Sequence, residues 1–537
     1  VGKAIGLTQA QVNGLTKYLD HRSPKELRNI VDLPPGLTAE HIYDVCYRLD
    51  GFPRHLGIHS GGMVVARRPL WETVPMEWGR MQDRSVLQWD KNDTAAMGVV
   101  KFDLLALGAL NALHLSVDAI AEAHGIDIDL ATIPQEPVIY EMLTRADTVG
   151  IFQVESRAQM ATLPKMKPRT FYDLAVEVAL IRPGPIQGQS VHPYLRRRNG
   201  EEPVRYLHPS AEPILRKTLG VPIFQEQLME IARVCAGFTP GQSDRLRQAM
   251  THKRSGEEMA KLKDEVYEGT AAKGIKGAAA DEVWEKLQGF ASFGFPESHS
   301  VSFAYIVYAA SWLKYHWPAE FFVGLLNAQP MGFYSPNSLV ADALHHGVVV
   351  LPPDVNASIH DCTIEHIDDP SKGGRDDLAE YLGMAWRRGM GAADDPVRAP
   401  VALRLGLRYV RNLGEAEINR IEAARFTGGE FQTIEDFAQR TGLSVAAHEG
   451  LAAAGAFSPF GMGKREGLWS AGALAGLGPG KLALEDASSK PDLERMDGPE
   501  TMQADLWSTG ISVVHPVSFI RDQLDAEGVL KACLLYT

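Results

Sequence analysis

The polar and apolar positions of this chain divide it into blocks of different period. Between about residue 110 and residue 330 the pattern predicts mostly long helices. Pro and Gly mark their edges at Arg182-Pro183-Gly184-Pro185, Thr239-Pro240-Gly241 and Trp317-Pro318. Residues 1 to about 50 predict short helices, with Leu15, Tyr18 and Leu19 on an apolar face and a turn at Leu33-Pro34-Pro35-Gly36. The texture changes from Arg54 to Asp103. Gly57, Gly61 and Gly62 precede the run Met63-Val64-Val65-Ala66, and a second β-like run, Gly98-Val99-Val100-Lys101-Phe102, ends at Asp103. This is the strand-rich part. Further on, residues 339–346 predict a helix and 348–351 a strand, stopped by Pro352-Pro353. Residues 365–400 are polar, acidic and glycine-rich, which predicts an exposed loop or a degenerate hairpin. Residues 402–460 predict compact helices, and 461–500 a linker with one helix.

Length and composition narrow the class. A chain of 537 residues implies about three or four domains. A hydrophobic content of 45% is enough to build cores and argues against wholesale disorder. Cys46, Cys235, Cys362 and Cys533 lie far apart, with no CxxC pair, so they are expected to be reduced thiols in a cytoplasmic protein. No apolar run reaches the roughly eighteen residues of a membrane helix. The net charge of −13 argues against unspecific adhesion to nucleic acid, but local fields decide binding. Cations cluster at Arg196-Arg197-Arg198 and at Arg245, Arg247, Lys253 and Arg254. The chain begins at Val1-Gly2-Lys3 and ends in a strand-like Leu534-Leu535-Tyr536-Thr537, so a fragment is expected at both ends.

Several short patterns carry candidate chemistry. In Lys101-Phe102-Asp103 a carboxylate at a strand end follows a lysine by two residues. The carboxylate suits Mg²⁺ and the lysine a phosphate. In the segment from Arg54 to Gly62, RHLGIHSGG, glycines allow close backbone approach to a phosphate, with Arg54 and His59 as donors. The His55/His59 spacing fits a helical metal pair, but the glycines between and after them argue against a helix. Arg182 sits on a rigid Pro-Gly-Pro turn. Arg247 and Arg254, seven residues apart, share a helix face if that helix continues. Ser298 and His299, in Phe293-Gly294-Phe295-Pro296-Glu297-Ser298-His299-Ser300, open a helix whose free N–H groups suit phosphate oxygens. A Ser/His hydrolase is disfavoured because the chain has no GxSxG elbow. The aromatic stripe Phe303, Tyr305, Tyr308, Trp312 that follows reads as core rather than as a stacking platform. Finally, Leu407-Arg408-Tyr409-Val410-Arg411-Asn412-Leu413-Gly414 precedes a helix, and Leu451 to Phe457 closes another. Such a hairpin can set backbone N–H groups against a duplex phosphate without reading sequence.

In their order along the chain these patterns resemble the C-family bacterial DNA polymerases, the family of the polymerase III alpha subunit. The resemblance runs through RHLGIHSGGMVV (54–65), GVVKFDLLAL (98–107), TVGIFQVES (148–156), ALIRPGP (179–185), PIFQEQLMEIA (222–232), the segment from Arg245 to Lys253 and FGFPESHSVSFAYIVYAASWLKYHWPAEF (293–321). It implies a multidomain α+β protein, predominantly α-helical. The end of a thumb would occupy 1–52, the closing part of a nucleotidyltransferase-type palm 53–110, and helical fingers 111–395. A helix-hairpin-helix duplex-binding module would occupy 396–460, and a linker leading into an incomplete OB-fold region 461–537. The implied reaction is DNA-directed DNA synthesis, with two Mg²⁺ ions and with dNTPs and primer-template DNA as substrates. Asp103 matches the third metal-binding carboxylate, and Lys101 sits near the phosphates. Arg54, His59, Arg182, Arg245, Arg247, Lys253, Ser298 and His299 are the implied nucleotide and DNA contacts. Arg408, Arg411 and Gly414 are the implied duplex contacts.

Within the family the chain resembles the error-prone, damage-tolerant branch, which carries translesion synthesis. His55 and Ser60 stand where the replicative branch tends to have Asn and Ala, and the segments 326–334 and 464–469 point the same way. The family's Asp-x-Asp pair and glycine-rich phosphate loop do not occur before Asp103, so the isolated chain is expected not to polymerise. Gln503-Ala504-Asp505-Leu506-Trp507 resembles a sliding-clamp peptide but falls where the family has a helix before the OB-fold. Accessory translesion proteins are further partners implied by the branch, and no membrane is. The competing readings are a non-catalytic DNA-binding remnant, a replicative alpha subunit and an unrelated metal hydrolase.

Overall fold

The computed structural model describes residues 4, 7–8, 12, 39–49, 59, 61–79, 83–104, 107–181, 188–251, 255–289, 295–367, 401–474, 477–479 and 493–529. Side chains are described for these residues except 91–92, 103, 188–192, 250–251 and 255–260. Arg54, Arg182 and Lys253 therefore lie outside the described residues, as do the predicted helix around Leu15 and residue Cys533. Two compact units emerge, Val1–Ala106 and Leu107–Thr537.

The first unit holds the predicted strands. Its elements are α1 (Ala39–Leu49), β1 (Gly62–Val64), β2 (Met76–Trp78), β3 (Ser85–Leu87), α2 (Lys91–Ala96) and β4 (Lys101–Asp103). β1 and β4 pair antiparallel with Gly62 opposite Asp103, Met63 opposite Phe102 and Val64 opposite Lys101. The Leu104 amide continues the ladder by donating to the Gly61 carbonyl at 2.7 Å. The two apolar runs of the sequence thus become partners, and the glycine loop arrives beside the strand that carries position 103. β2 and β3 form a separate two-stranded ribbon.

The second unit is predominantly helical, as the periodicity predicts. Its main core joins α3 (Gly108–His124), α4 (Pro137–Thr144), α5 (Arg157–Met166), α6 (Phe171–Leu180), α13 (Glu297–His316), α14 (Pro318–Asn327) and α15 (Pro336–His345). α3 and α14 approach closely because Gly324 has no side chain: a Cβ there would lie 2.4 Å from the Ala112 carbonyl oxygen. Between α6 and α13 the chain forms α7 (Gly188–Arg198), α8 (Glu212–Leu215), α9 (Gln225–Ala236), α10 (Pro240–Thr251), α11 (Ser255–Ala272) and α12 (Ala278–Gly289), and α9 to α12 share a second core.

A three-stranded sheet follows α15. β5 (Val349–Leu351) runs parallel to β7 (Val401–Arg404), and β6 (Thr363–His366) pairs antiparallel with β7. The segment expected to be loop or hairpin is thus bordered by paired strands; residues 368–400 lie outside the described residues. α16 (Glu415–Gly428), α17 (Ile434–Thr441), α18 (Val445–Ala454) and α19 (Lys464–Ala473) bury a third core around Phe431, Phe437, Leu451 and Phe457. α20 (Gly498–Ser508) starts near the end of the expected linker, and α21 (Arg521–Ala526) follows. Cys46, Cys235 and Cys362 carry free thiols. Burial pushes the Cys362 thiol up to about 12, so it stays protonated and unreactive. No described helix is long and apolar enough to cross a membrane.

Candidate functional site

Chemistry in the first unit gathers where the glycine loop meets β4. His59 folds back over the loop. Its Nδ1 accepts the Gly61 amide at 3.1 Å and the Gly62 amide at 2.6 Å. Its Nε2 lies 3.4 Å from Nζ of Lys101, 42 residues further along the chain. Lys101 is exposed, and the register holds it opposite Val64. Positions 101 and 103 fall on one face of β4 by the strand's period of two. Thus two residues singled out separately in the sequence, His59 and Lys101, are brought together, on the strand that ends at Asp103.

The cations and hydroxyls of the second unit have mostly local partners. Arg245 on α10 pairs with Glu265 of α11 at 3.1 Å. Arg247 pairs with Asp244 of its own helix at 2.9 Å. The basic knot is likewise neutralised within the fold: Arg196 and Arg197 bond Glu202 at 3.0 and 3.1 Å, and Arg198 bonds Asp173 at 2.7 Å. Ser298 and His299 are exposed in the first turn of α13. The His299 ring packs tilted against Phe295 and edge-on against Phe303, with ring centroids 5.2 and 4.3 Å away. The adjoining Glu297 amide donates to the Glu226 carboxylate at 2.9 Å, so one amide of that helix start already has an acidic partner. The aromatic stripe is core in part: Tyr308 is buried, Phe303 and Trp312 are half-buried against the same core, with Trp312 Nε1 donating to Glu136 at 2.8 Å, and Tyr305 is exposed.

Arg408 is tied into the fold. Its guanidinium donates to the carbonyls of Asn327 and Gln329, each at 3.1 Å, and to Asp361 at 2.9 Å. Arg411 stacks on the Trp507 ring at 5.0 Å. Gly414 caps α16, and its amide donates to Glu417 at 3.1 Å. The clamp-like peptide is helical within α20, where Asp505 pairs with Lys464.

Two features escaped the sequence reading. Lys314 on α13 is fully buried, 2.8 Å from both Asp147 and Asp342, and His346 adds a 2.8 Å contact to Asp147. Burial alone would raise the Asp147 pKa, but His346 and Lys314 outweigh it and hold the carboxyl well below its ordinary range. The spacing of Asp147, Asp342 and His346 suits a metal ion, yet the Lys314 ammonium already supplies the positive charge there. The second is Glu177 on α6. It is fully buried, and neither carboxylate oxygen finds a hydrogen-bond donor among the described residues. Burial pushes its pKa up to about 8. The first left no local signal, because Asp147 lies 167 residues before the lysine in sequence.

Comparison with known proteins matches this division of the chain. Residues 1–106 match the family model of the bacterial DNA polymerase III alpha NTPase domain, 109–274 that of the bacterial DNA polymerase III alpha subunit finger domain, and 347–467 a helix-hairpin-helix motif. The chain belongs to the C-family of bacterial DNA polymerases. Within that family it is most like the error-prone branch. It is 50% identical, over 100% of its length, to a protein named error-prone DNA polymerase from Mycolicibacterium paratuberculosis, and 50% identical over 99% to one from Mycobacterium bovis. A Nocardia farcinica protein of the same name is 48% identical over 99% of the chain. The chain spans a little under half of these relatives, 46%, 46% and 44% of their respective lengths.

Proposed function

We propose that this chain supplies the closing part of the palm, the fingers and the duplex-binding module of an error-prone DNA-directed DNA polymerase that copies damaged templates. The observation that carries this reading is sequence identity of about one half, sustained over the whole chain, to proteins named error-prone DNA polymerase. The junction of glycine loop and β4 supports it, because the side chains of Lys101 and His59 meet there, on the strand that ends at Asp103.

In the proposed reaction a primer 3′-hydroxyl attacks the α-phosphate of a dNTP and pyrophosphate leaves. Mg²⁺ would stabilise the charge on the attacking and leaving oxygens. Asp103 would give that ion a carboxylate oxygen, the hard ligand it takes. The group around Asp147 does not fit this role, because an ammonium group stands between its carboxylates. Lys101 and His59 would hold phosphoryl oxygens. In the second unit, Arg245, Arg247, Ser298 and His299 are proposed nucleotide or template contacts, the two arginines by exchanging an acidic partner for a phosphate. Arg411 and Gly414 are proposed to face the duplex, whereas Arg408 holds the module in place.

Primer extension by the gene product that carries this chain tests the reading, on an undamaged template and on one with an abasic site. Synthesis on both is expected. No extension on either contradicts a polymerase, and a stop at the lesion contradicts the error-prone branch alone.

A further inference from the structure

Between the end of β1 at Val64 and the start of β4 at Lys101 the chain builds the β2–β3 ribbon, and two tryptophans frame it. Trp71 stands in a short turn, Leu70–Glu72, where the Thr73 and Val74 amides both donate to the Leu70 carbonyl at 2.9 Å. Trp78 ends β2 opposite Ser85. The backbone beside it is closed by the Gly79 amide, which donates to the Arg84 carbonyl at 2.7 Å. Trp71 is 75% exposed and Trp78 82%, the highest values of any tryptophan among the described residues. Val74, between them, is buried and anchors the segment, so neither indole is its packing anchor. Neither ring meets another ring or a cation among the described residues.

Unpaired cations accompany the two rings. Arg67 and Arg68 precede the turn. Arg84 lies opposite Gly79, with its Cγ 3.5 Å from the place of a Cβ there, next to Trp78. All three are exposed, and none has a carboxylate partner among the described residues. Arg196, Arg198, Arg245 and Arg247 differ in this, because the fold gives each an acidic neighbour.

We propose that the β2–β3 ribbon is a stacking surface for single-stranded DNA, with Trp71 and Trp78 taking unpaired bases and Arg67, Arg68 and Arg84 taking the phosphates. Every nucleotide offers an anion and a π-face together, which is the pair of groups this ribbon leaves unanswered. Any base can stack, so no sequence is read. A duplex keeps its bases in its own stack and presents only phosphate to the arginines. An apolar protein surface would cover the rings and leave the guanidinium groups without counter-charge. Assigning the strand to the unpaired part of a template rests on the polymerase reading; the surface itself does not.

The test measures the affinity of the gene product carrying this chain for labelled oligothymidylate and for a blunt duplex, by fluorescence anisotropy. Trp71→Ala and Trp78→Ala are each expected to weaken oligothymidylate binding on the order of tenfold and to leave the duplex within about twofold. Trp71→Tyr and Trp78→Tyr should recover most of the loss, because another aromatic still stacks. Arg67→Ala should flatten the salt dependence of oligothymidylate binding by about 0.7 in log–log slope. Both indoles should react with N-bromosuccinimide in the free protein and be protected by oligothymidylate. Undiminished oligothymidylate affinity in the double alanine variant overturns the proposal, and so does an equal loss on the blunt duplex. Indoles already protected without DNA overturn it too, in favour of a covering protein segment. Tighter binding of oligouridylate than of oligothymidylate overturns the assignment to DNA. A gene product that extends no primer, yet binds oligothymidylate through both tryptophans, overturns the polymerase reading and leaves the surface standing.

Discussion

The Lys314 ammonium lies 2.8 Å from the Asp147 carboxylate with its side chain wholly out of solvent, tying α13 to the loop that follows α4. Asp342 of α15 takes the same ammonium at 2.8 Å, and the Val149 carbonyl accepts from it at 3.1 Å. A buried charge stays in place only when its partners do, so removing one side strands the other. Lys314→Met is expected to destabilise the second unit by about 3–5 kcal/mol. Denaturant midpoints check this. Adding Asp147→Asn and Asp342→Asn should recover much of the loss, because no buried charge is then left over. The Asp147 pKa is depressed in the fold, so its contribution is present above the unfolded carboxylate range and fades as pH falls through the folded value.

Glu177 predicts the opposite pH dependence. Its folded pKa is raised to about 8 by burial, from 4.5 as the ordinary value. The stability it permits is fully present below the ordinary value and is lost as pH rises towards 8. At pH 7 the cost is about 3 kcal/mol. Glu177→Gln keeps the shape of the protonated acid and cannot ionise. Melting temperatures should show its advantage over the parent growing steadily from pH 5 to pH 8; a constant difference contradicts this account.

Arg408 separates a structural cation from a DNA contact. Three acceptors from two distant stretches hold its guanidinium. Arg408→Ala should lower stability by about 2–3 kcal/mol, since it strands these acceptors. Affinity for primer-template DNA, measured by fluorescence anisotropy well below the melting temperature, should change little. A large loss of affinity without loss of stability would return Arg408 to the duplex interface.

Sequence pattern carried the helical second unit and the strand ending at Asp103, because both depend on local periodicity. It singled out His59 and Lys101, but not their meeting, which follows from the pairing of Val64 with Lys101 across the β1–β4 ladder. For the cations a sequence reports charge and not partner. Arg245, Arg247 and Arg408 read as donors to phosphate, and the fold gives them Glu265, Asp244 and Asp361. Glu177 left no local signal at all. A carboxylate on a helix normally reads as solvated, and only tertiary packing reveals that this one is enclosed.

The most direct measurement is primer extension with Mg²⁺ and dNTPs by the gene product carrying this chain, compared with its Asp103→Asn variant. Loss of one metal-binding carboxylate should lower the extension rate on the order of a hundredfold or more while primer-template affinity stays within a fewfold of the parent. An Asp103→Asn variant that extends primers at the parent rate would contradict the assignment of Asp103 to the metal site and, with it, the palm placed at 53–110.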